Sequence, residues 1–225
     1  IHLPNLLKFF SITSCCDPRI ELLNKFRSKL KINLYTNNIK EFFKTNKASF
    51  IFICSSRAAS YKILNQAINS KKTIFCEKPA IFNLEVANKI HLKMKSNKQV
   101  KFGYMTRYDP SVIFLKKYLI KNKKKLDINK IIFTLSNNSF YDHKQKLNYI
   151  RTDEKNDFKF SKVKYPKFIK NKTKIMYHVF LNRYSHVINM VNFFFNKIQP
   201  VSMNFDDIYN YHLEAKYKKT KIFMN

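Results

Sequence analysis

Five consecutive apolar residues, Phe50-Ile51-Phe52-Ile53-Cys54, constrain this chain more than any other stretch. A strand with one wet face alternates apolar and polar side chains, so an unbroken run predicts a strand covered on both faces, as in parallel sheets. Its surroundings agree. Short β-type runs at 9–16, 32–35, 50–54, 73–76 and 100–104 alternate with helix-type segments at 20–30, 38–44, 58–69 and 83–95. In the first of those helices Ile20, Leu23, Phe26 and Leu30 share one face, and in the last Asn83 stands where an N-cap belongs. This rhythm predicts βαβ units and a parallel sheet. After Pro110 it changes. A helix at 111–121, a strand at 131–135, a polar aromatic-dotted stretch to about residue 174, an apolar helix at 181–195 and strands at 201–205 and 208–216 follow. Helices ahead of a run of strands predict an α+β domain with a mostly antiparallel sheet. The boundary falls between residues 108 and 109.

Composition sets outer limits. With 45% hydrophobic residues and 22 phenylalanines in 225 residues, the chain can bury a core. Its 44 basic against 14 acidic residues give a formal charge of +30, but the lysines are spread along the whole chain with Asn, Ile, Phe and Tyr, and Gly103 is the sole glycine. That skew reads as compositional drift; the cluster at 121–125 reads as a solvated helix end, and specific nucleic-acid binding is not expected. No apolar run reaches the ~20 residues that span a bilayer. His2, Pro4 and Lys8 interrupt any signal-peptide pattern, so a cytoplasmic protein without membrane contact is expected. Cys15, Cys16, Cys54 and Cys76 lack metal-type spacing and each ends an apolar run, which predicts buried reduced thiols and no metal.

Two stretches carry chemistry. The run Thr73-Ile74-Phe75 ends in Cys76-Glu77-Lys78-Pro79 just before a helix, and ligands of open α/β sheets collect outside the carboxyl ends of strands. Lys78 is therefore a candidate, against the plain alternative that Glu77 and Lys78 are solvated turn charges. The second stretch is Leu181-Asn182-Arg183-Tyr184-Ser185-His186. Asn182 lies four residues before His186, so a helix presents both on one side. Histidine, with an unperturbed pKa of ~6.5, suits proton transfer near neutral pH; the plain alternative is a packing residue beside Tyr184. The other histidines have no such context, although His178 lies just upstream on the same helix.

Three motifs in order carry a resemblance: Cys76-Glu77-Lys78-Pro79-Ala80, Gly103-Tyr104-Met105-Thr106-Arg107-Tyr108-Asp109-Pro110, and the run from Leu181 through His186 to Asn189. Together the chain resembles the glucose–fructose oxidoreductase/inositol dehydrogenase family, Gfo/Idh/MocA, along nearly its whole length. The resemblance implies a Rossmann-like domain over 1–108, lacking its first strand and glycine loop, and a partial substrate and oligomerisation domain over 109–225. It implies that residues are missing upstream of Ile1, and some also at the C-terminal side. It implies an NAD(P)-dependent oxidoreductase acting on a secondary hydroxyl of a sugar, cyclitol or sugar derivative, and a homo-oligomer at full length. The alternative is a non-catalytic cofactor-binding or regulatory protein on the same scaffold. Carried over by position, Lys78, His186 and Asn182 are catalytic. Asp17, Ser55, Ser56, Ser60, Glu77 and Arg107 face the cofactor, NAD ahead of an NADP that Arg19 leaves open. Asp17 binds ribose hydroxyls, caps the following helix, or does both; Arg107 binds a ligand or serves structure. Ser55-Ser56 and Ser60 depart from the family's usual Thr-Pro and His. The region 138–174 is where the resemblance implies substrate selection.

Overall fold

A computed structural model describes residues 2–94, 100–134, 152–154, 165–207 and 210–225. The chain divides into two compact units, Ile1–Phe102 with Ser139–Lys164, and Gly103–Asn138 with Tyr165–Asn225.

The first unit alternates as the sequence predicts. Its elements are α1 (His2–Phe9), β1 (Ser14–Cys16), α2 (Ile20–Arg27), β2 (Leu34–Thr36), α3 (Ile39–Thr45), β3 (Phe50–Ile53), α4 (Arg57–Ala67), β4 (Thr73–Cys76), α5 (Leu84–Met94) and β5 (Val100–Phe102). All strand pairings here are parallel, in two sheets: β1 with β2, and β3-β4-β5. Asn83 caps α5, accepting the Val86 N–H at 2.8 Å. The segment 9–16 is a strand only over its last three residues, because Phe9 closes α1.

The apolar run has two unlike faces. Ile51 pairs with Ile74 and Ile53 with Cys76, and all four are at most 3% exposed against Leu64 and Ala67 of α4 and Ile90 of α5. Fully burying such a side chain contributes about 1.5–3 kcal/mol, so this aliphatic layer holds the unit together. Phe52 pairs with Phe75 on the opposite face, where the Phe10 ring meets Phe52 at 5.2 Å and His2 meets Phe75 at 6.0 Å. That aromatic face is only half covered. The cysteine expectation is met in part: all four are free, Cys76 is buried and its thiol is pushed up to about 12 by burial, but Cys54 is exposed because β3 has ended before it.

The second unit contains a 3₁₀ turn at Met105–Tyr108, α6 (Pro110–Lys121), β6 (Lys130–Phe133), α7 (Lys174–Phe194), β7 (Gln199–Phe205), β8 (Tyr211–Tyr217) and β9 (Thr220–Met224). Asp109 caps α6 through the Ser111 N–H at 2.9 Å, with Pro110 in the first turn where its missing N–H costs nothing. The sheet runs β6-β9-β8-β7, antiparallel except for the parallel β6–β9 pair. Val187 and Val191 of α7 pack on Ala215, Ile222 and Met224. Tyr184 pins the helix to β8: its hydroxyl accepts the Tyr211 N–H at 2.9 Å and donates to the Tyr211 carbonyl at 3.2 Å.

Two features of the second unit depart from expectation. Helix α7 begins at Lys174 instead of 181, and β9 was not foreseen. Hairpins announce themselves by Asn-Gly or Asp-Gly, but here β8 turns into β9 through Lys218-Lys219, with Lys218 at φ 55°. Much of the stretch 138–174 lies outside the described residues. Among those described, no helix is long and apolar enough to cross a membrane.

Candidate active site

Parallel register puts Ile53, Cys76 and Phe102 at the same end of β3-β4-β5, so the loops that follow β3 and β4 leave from one edge. The Glu77 N–H donates to the Ile53 carbonyl at 2.9 Å, extending the pairing one residue beyond β4. The Glu77 carboxylate accepts the Lys78 N–H at 3.2 Å and meets His2 Nε2 at 2.9 Å. The Lys78–Pro79 peptide is cis, and Ala80 and Phe82 behind it are buried. Glu77 thus holds the turn that carries Lys78 and ties it to the start of α1.

The serines differ among themselves. Ser56 occupies the N-cap position of α4, while Ser60, one turn into the helix, is 1% exposed. The Ser60 hydroxyl donates to the Ser56 carbonyl at 3.0 Å and lies 3.1 Å from the Ser55 hydroxyl. Ser60 therefore shapes the loop from below, and Ser55 and Ser56 form its surface.

Asp17 follows β1. Its Oδ1 accepts from the Arg19 N–H at 3.0 Å and from Arg19 Nε at 2.9 Å, and its Oδ2 accepts from the second guanidinium arm at 3.0 Å. Such a fork is a charge-assisted, geometrically specific pair, and it holds the guanidinium's pKa above its ordinary value. Asp17 does not cap α2. The first two amides of that helix, Ile20 and Glu21, donate at 2.9 Å to the two oxygens of Glu154, from 134 and 133 positions away. Sequence reasoning missed both Glu154 and His2, since partners so distant leave no local pattern.

In the second unit α7 sorts its residues by face. His178, Asn182, His186 and Asn189 recur at spacings of four and three, opposite the buried Tyr184, Val187 and Val191. The segment after Gly103 runs beside that polar stripe. The Tyr104 ring meets His186 edge-on at 6.1 Å. Arg107 Nε donates to the Asn189 side-chain oxygen, and a terminal nitrogen reaches the Asn189 carbonyl at 3.4 Å. The Arg107 guanidinium also lies 5.4 Å from the Phe193 ring centre, with Lys116 Nζ at 3.6 Å from the same ring. Burial raises the Tyr104 phenol's pKa, opposed by the Arg107 charge. The Tyr165 hydroxyl is bonded to His178 Nε2.

Asp17, Ser55, Ser56, Ser60, Glu77 and Lys78 thus belong to the first unit, and Arg107, Asn182 and His186 to the second. Among the described residues, no group of three His, Cys, Asp or Glu side chains could hold a metal ion.

Residues 2–104 match the family model described as an oxidoreductase family with an NAD-binding Rossmann fold. Over that stretch, somewhat under half of its length, the chain is similar to the Gfo/Idh/MocA oxidoreductase family. The uncharacterized oxidoreductase YrbE of Bacillus subtilis (strain 168) is 26% identical over 113 residues, 49% of this chain and 33% of YrbE. Beyond that stretch the likeness is one of fold, and it extends along the chain. A scyllo-inositol dehydrogenase from Lactobacillus casei, solved with NAD(H) and scyllo-inositol, superposes with a TM-score of 0.67 at 16% identity, covering 99% of this chain and 64% of that one. A myo-inositol 2-dehydrogenase from Lactobacillus plantarum gives 0.65 at 16% identity, with 99% and 64% covered. The chain therefore spans a third of the curated relative and under two thirds of these solved proteins.

Proposed function

We propose that this chain is part of an NAD(P)-dependent oxidoreductase that exchanges hydride with a secondary hydroxyl of a sugar, cyclitol or sugar derivative. The observation that carries the reading is His186, one turn beyond Asn182 on the polar stripe of α7 and faced by the Tyr104 ring. Oxidising such an alcohol needs a base at the hydroxyl, and an imidazole supplies one near neutral pH. His186 takes that proton, and Asn182 hydrogen-bonds the hydroxyl and orients it. Arg107, held by Asn189, braces Tyr104 and the helix instead of touching the substrate.

In the first unit the residues fit the adenosine end of a dinucleotide: Asp17 is an acceptor-only group at a strand's carboxyl end, suited to ribose hydroxyls. Ser55 and Ser56 offer hydroxyls beyond β3, with Ser60 and Glu77 as supports. Lys78 supplies an ammonium that stabilises a developing alkoxide. The nicotinamide, when bound, accepts or returns the hydride. The cyclitol held by the L. casei relative makes polyols the first substrates to try. Self-association is proposed through β7, whose residues, among them Val201, Met203 and Phe205, are all exposed.

The test is turnover of a cyclitol and sugar panel, followed by nicotinamide absorbance, in the natural full-length protein. His186→Gln should lower kcat by about 10²- to 10⁴-fold, the range of a lost proton-transfer group, and Lys78→Met by about 10²- to 10³-fold, the scale of one lost oxyanion-stabilising donor. Wild-type turnover in both variants overturns the assignment.

A further inference from the structure

The end of the first unit that would meet an adenosine ribose holds two features that attract phosphate: the Arg19 guanidinium and the free amides of a helix start. Both are occupied by carboxylates of the chain itself. Asp17 takes Arg19 through three contacts of 2.9–3.0 Å. Glu154 takes the Ile20 and Glu21 amides at 2.9 Å with one oxygen on each. The Glu154 charge also acts on Arg19.

We propose that Glu154 is a specificity-determining residue that turns this pocket against a 2′-phosphorylated dinucleotide; the inference rests on the dinucleotide-binding reading above. A 2′-phosphate needs the donors that Glu154 and Asp17 already hold, and it would bring a dianion against two carboxylates. A 2′-hydroxyl needs only an acceptor, which Asp17 remains able to offer. The selectivity comes from a residue 134 positions from the amide it covers, so no reading of the β1–α2 turn alone would find it.

The experiment is titration of the natural full-length protein with NADH and NADPH, followed by the nicotinamide fluorescence. It compares wild type, Glu154→Gln, Glu154→Ala and, as a charge control at the neighbouring position, Asp153→Asn. The net charge of +30 favours the extra phosphate non-specifically in all of them, so the NADH/NADPH affinity ratio is compared between variants at one salt concentration. Wild type should prefer NADH. Both Glu154 variants should shift the ratio towards NADPH by about tenfold, the scale of one charged contact, with Asp153→Asn shifting it less than about twofold. If Glu154→Ala does not fold, Glu154→Gln keeps the side chain's shape and carries the test. NADH binding with an unchanged ratio in the Glu154 variants, a wild type that prefers NADPH, or an equal shift in Asp153→Asn overturns the role of Glu154 and leaves the dinucleotide reading standing. Binding of neither nucleotide to wild type overturns that reading itself.

Discussion

The strand ends of the first unit and the polar stripe of the second place their functional side chains by different means. On α7 a single rule suffices: residues three and four apart share a face, so Asn182, His186 and Asn189 are presented together once Tyr184, Val187 and Val191 are buried on the sheet. At the strand ends no such rule operates. There distant partners do much of the placing, Glu77 being met by His2 and the amides of α2 by Glu154, while Asp17 is held locally by Arg19. In the first case one element does the placing; in the second, two distant segments must both be present.

The sharpest way to break this contrast is at Arg107, where the second unit does use a distant partner. Arg107→Lys keeps the charge but loses the fork to Asn189 and the flat guanidinium near Phe193. It should destabilise the second unit by about 1.5–3 kcal/mol, the range for hydrogen bonds to a charged group, read from urea midpoints. Asn189→Ala should cost about the same, and the double variant little more than either alone. Additive losses would show that the two side chains act independently and that the stripe needs no brace.

What was legible in the sequence follows the same division. The β3 run, the βαβ rhythm, the capping Asn83 and the Asn182–His186 pair were readable because each is a pattern within one element. The two-faced nature of β3 was not. Phe50 and Phe52 count as apolar like Ile51 and Ile53, and only the structure shows the aromatic side half covered. Helix α7 was read short because Tyr177 and His178 look like the polar stretch before them. Strand β9 was missed for want of a turn signal, and that absence has an energetic side. A left-handed residue other than glycine costs roughly 1–2 kcal/mol, and glycine returns about 0.5–1 of this through its freer unfolded chain. Lys218→Gly should therefore raise stability by about 0.5–1 kcal/mol in the same urea assay, less than the Arg107 effect and opposite in sign. No gain would mean that Lys218 contributes packing that offsets its backbone.

The smallest effect belongs to a pair that is close in sequence and open to water. His212 Nε2 lies 3.0 Å from an Asp206 oxygen and its Nδ1 3.2 Å from the Asn225 side-chain oxygen, so the imidazolium can donate from both nitrogens. These bonds, the one to Asp206 foremost, raise the pKa of His212 above 6.5. A group whose pKa rises on folding stabilises the fold fully below its unfolded value. That contribution fades as pH rises through the folded value. NMR titration of the ring protons should give a midpoint above 6.5, and Asp206→Asn should move it down. Because the pair is solvent-exposed, the unfolding midpoint should barely respond to the same substitution. A strong response would mean that this local contact, unlike those at the strand ends, anchors the turn between β7 and β8.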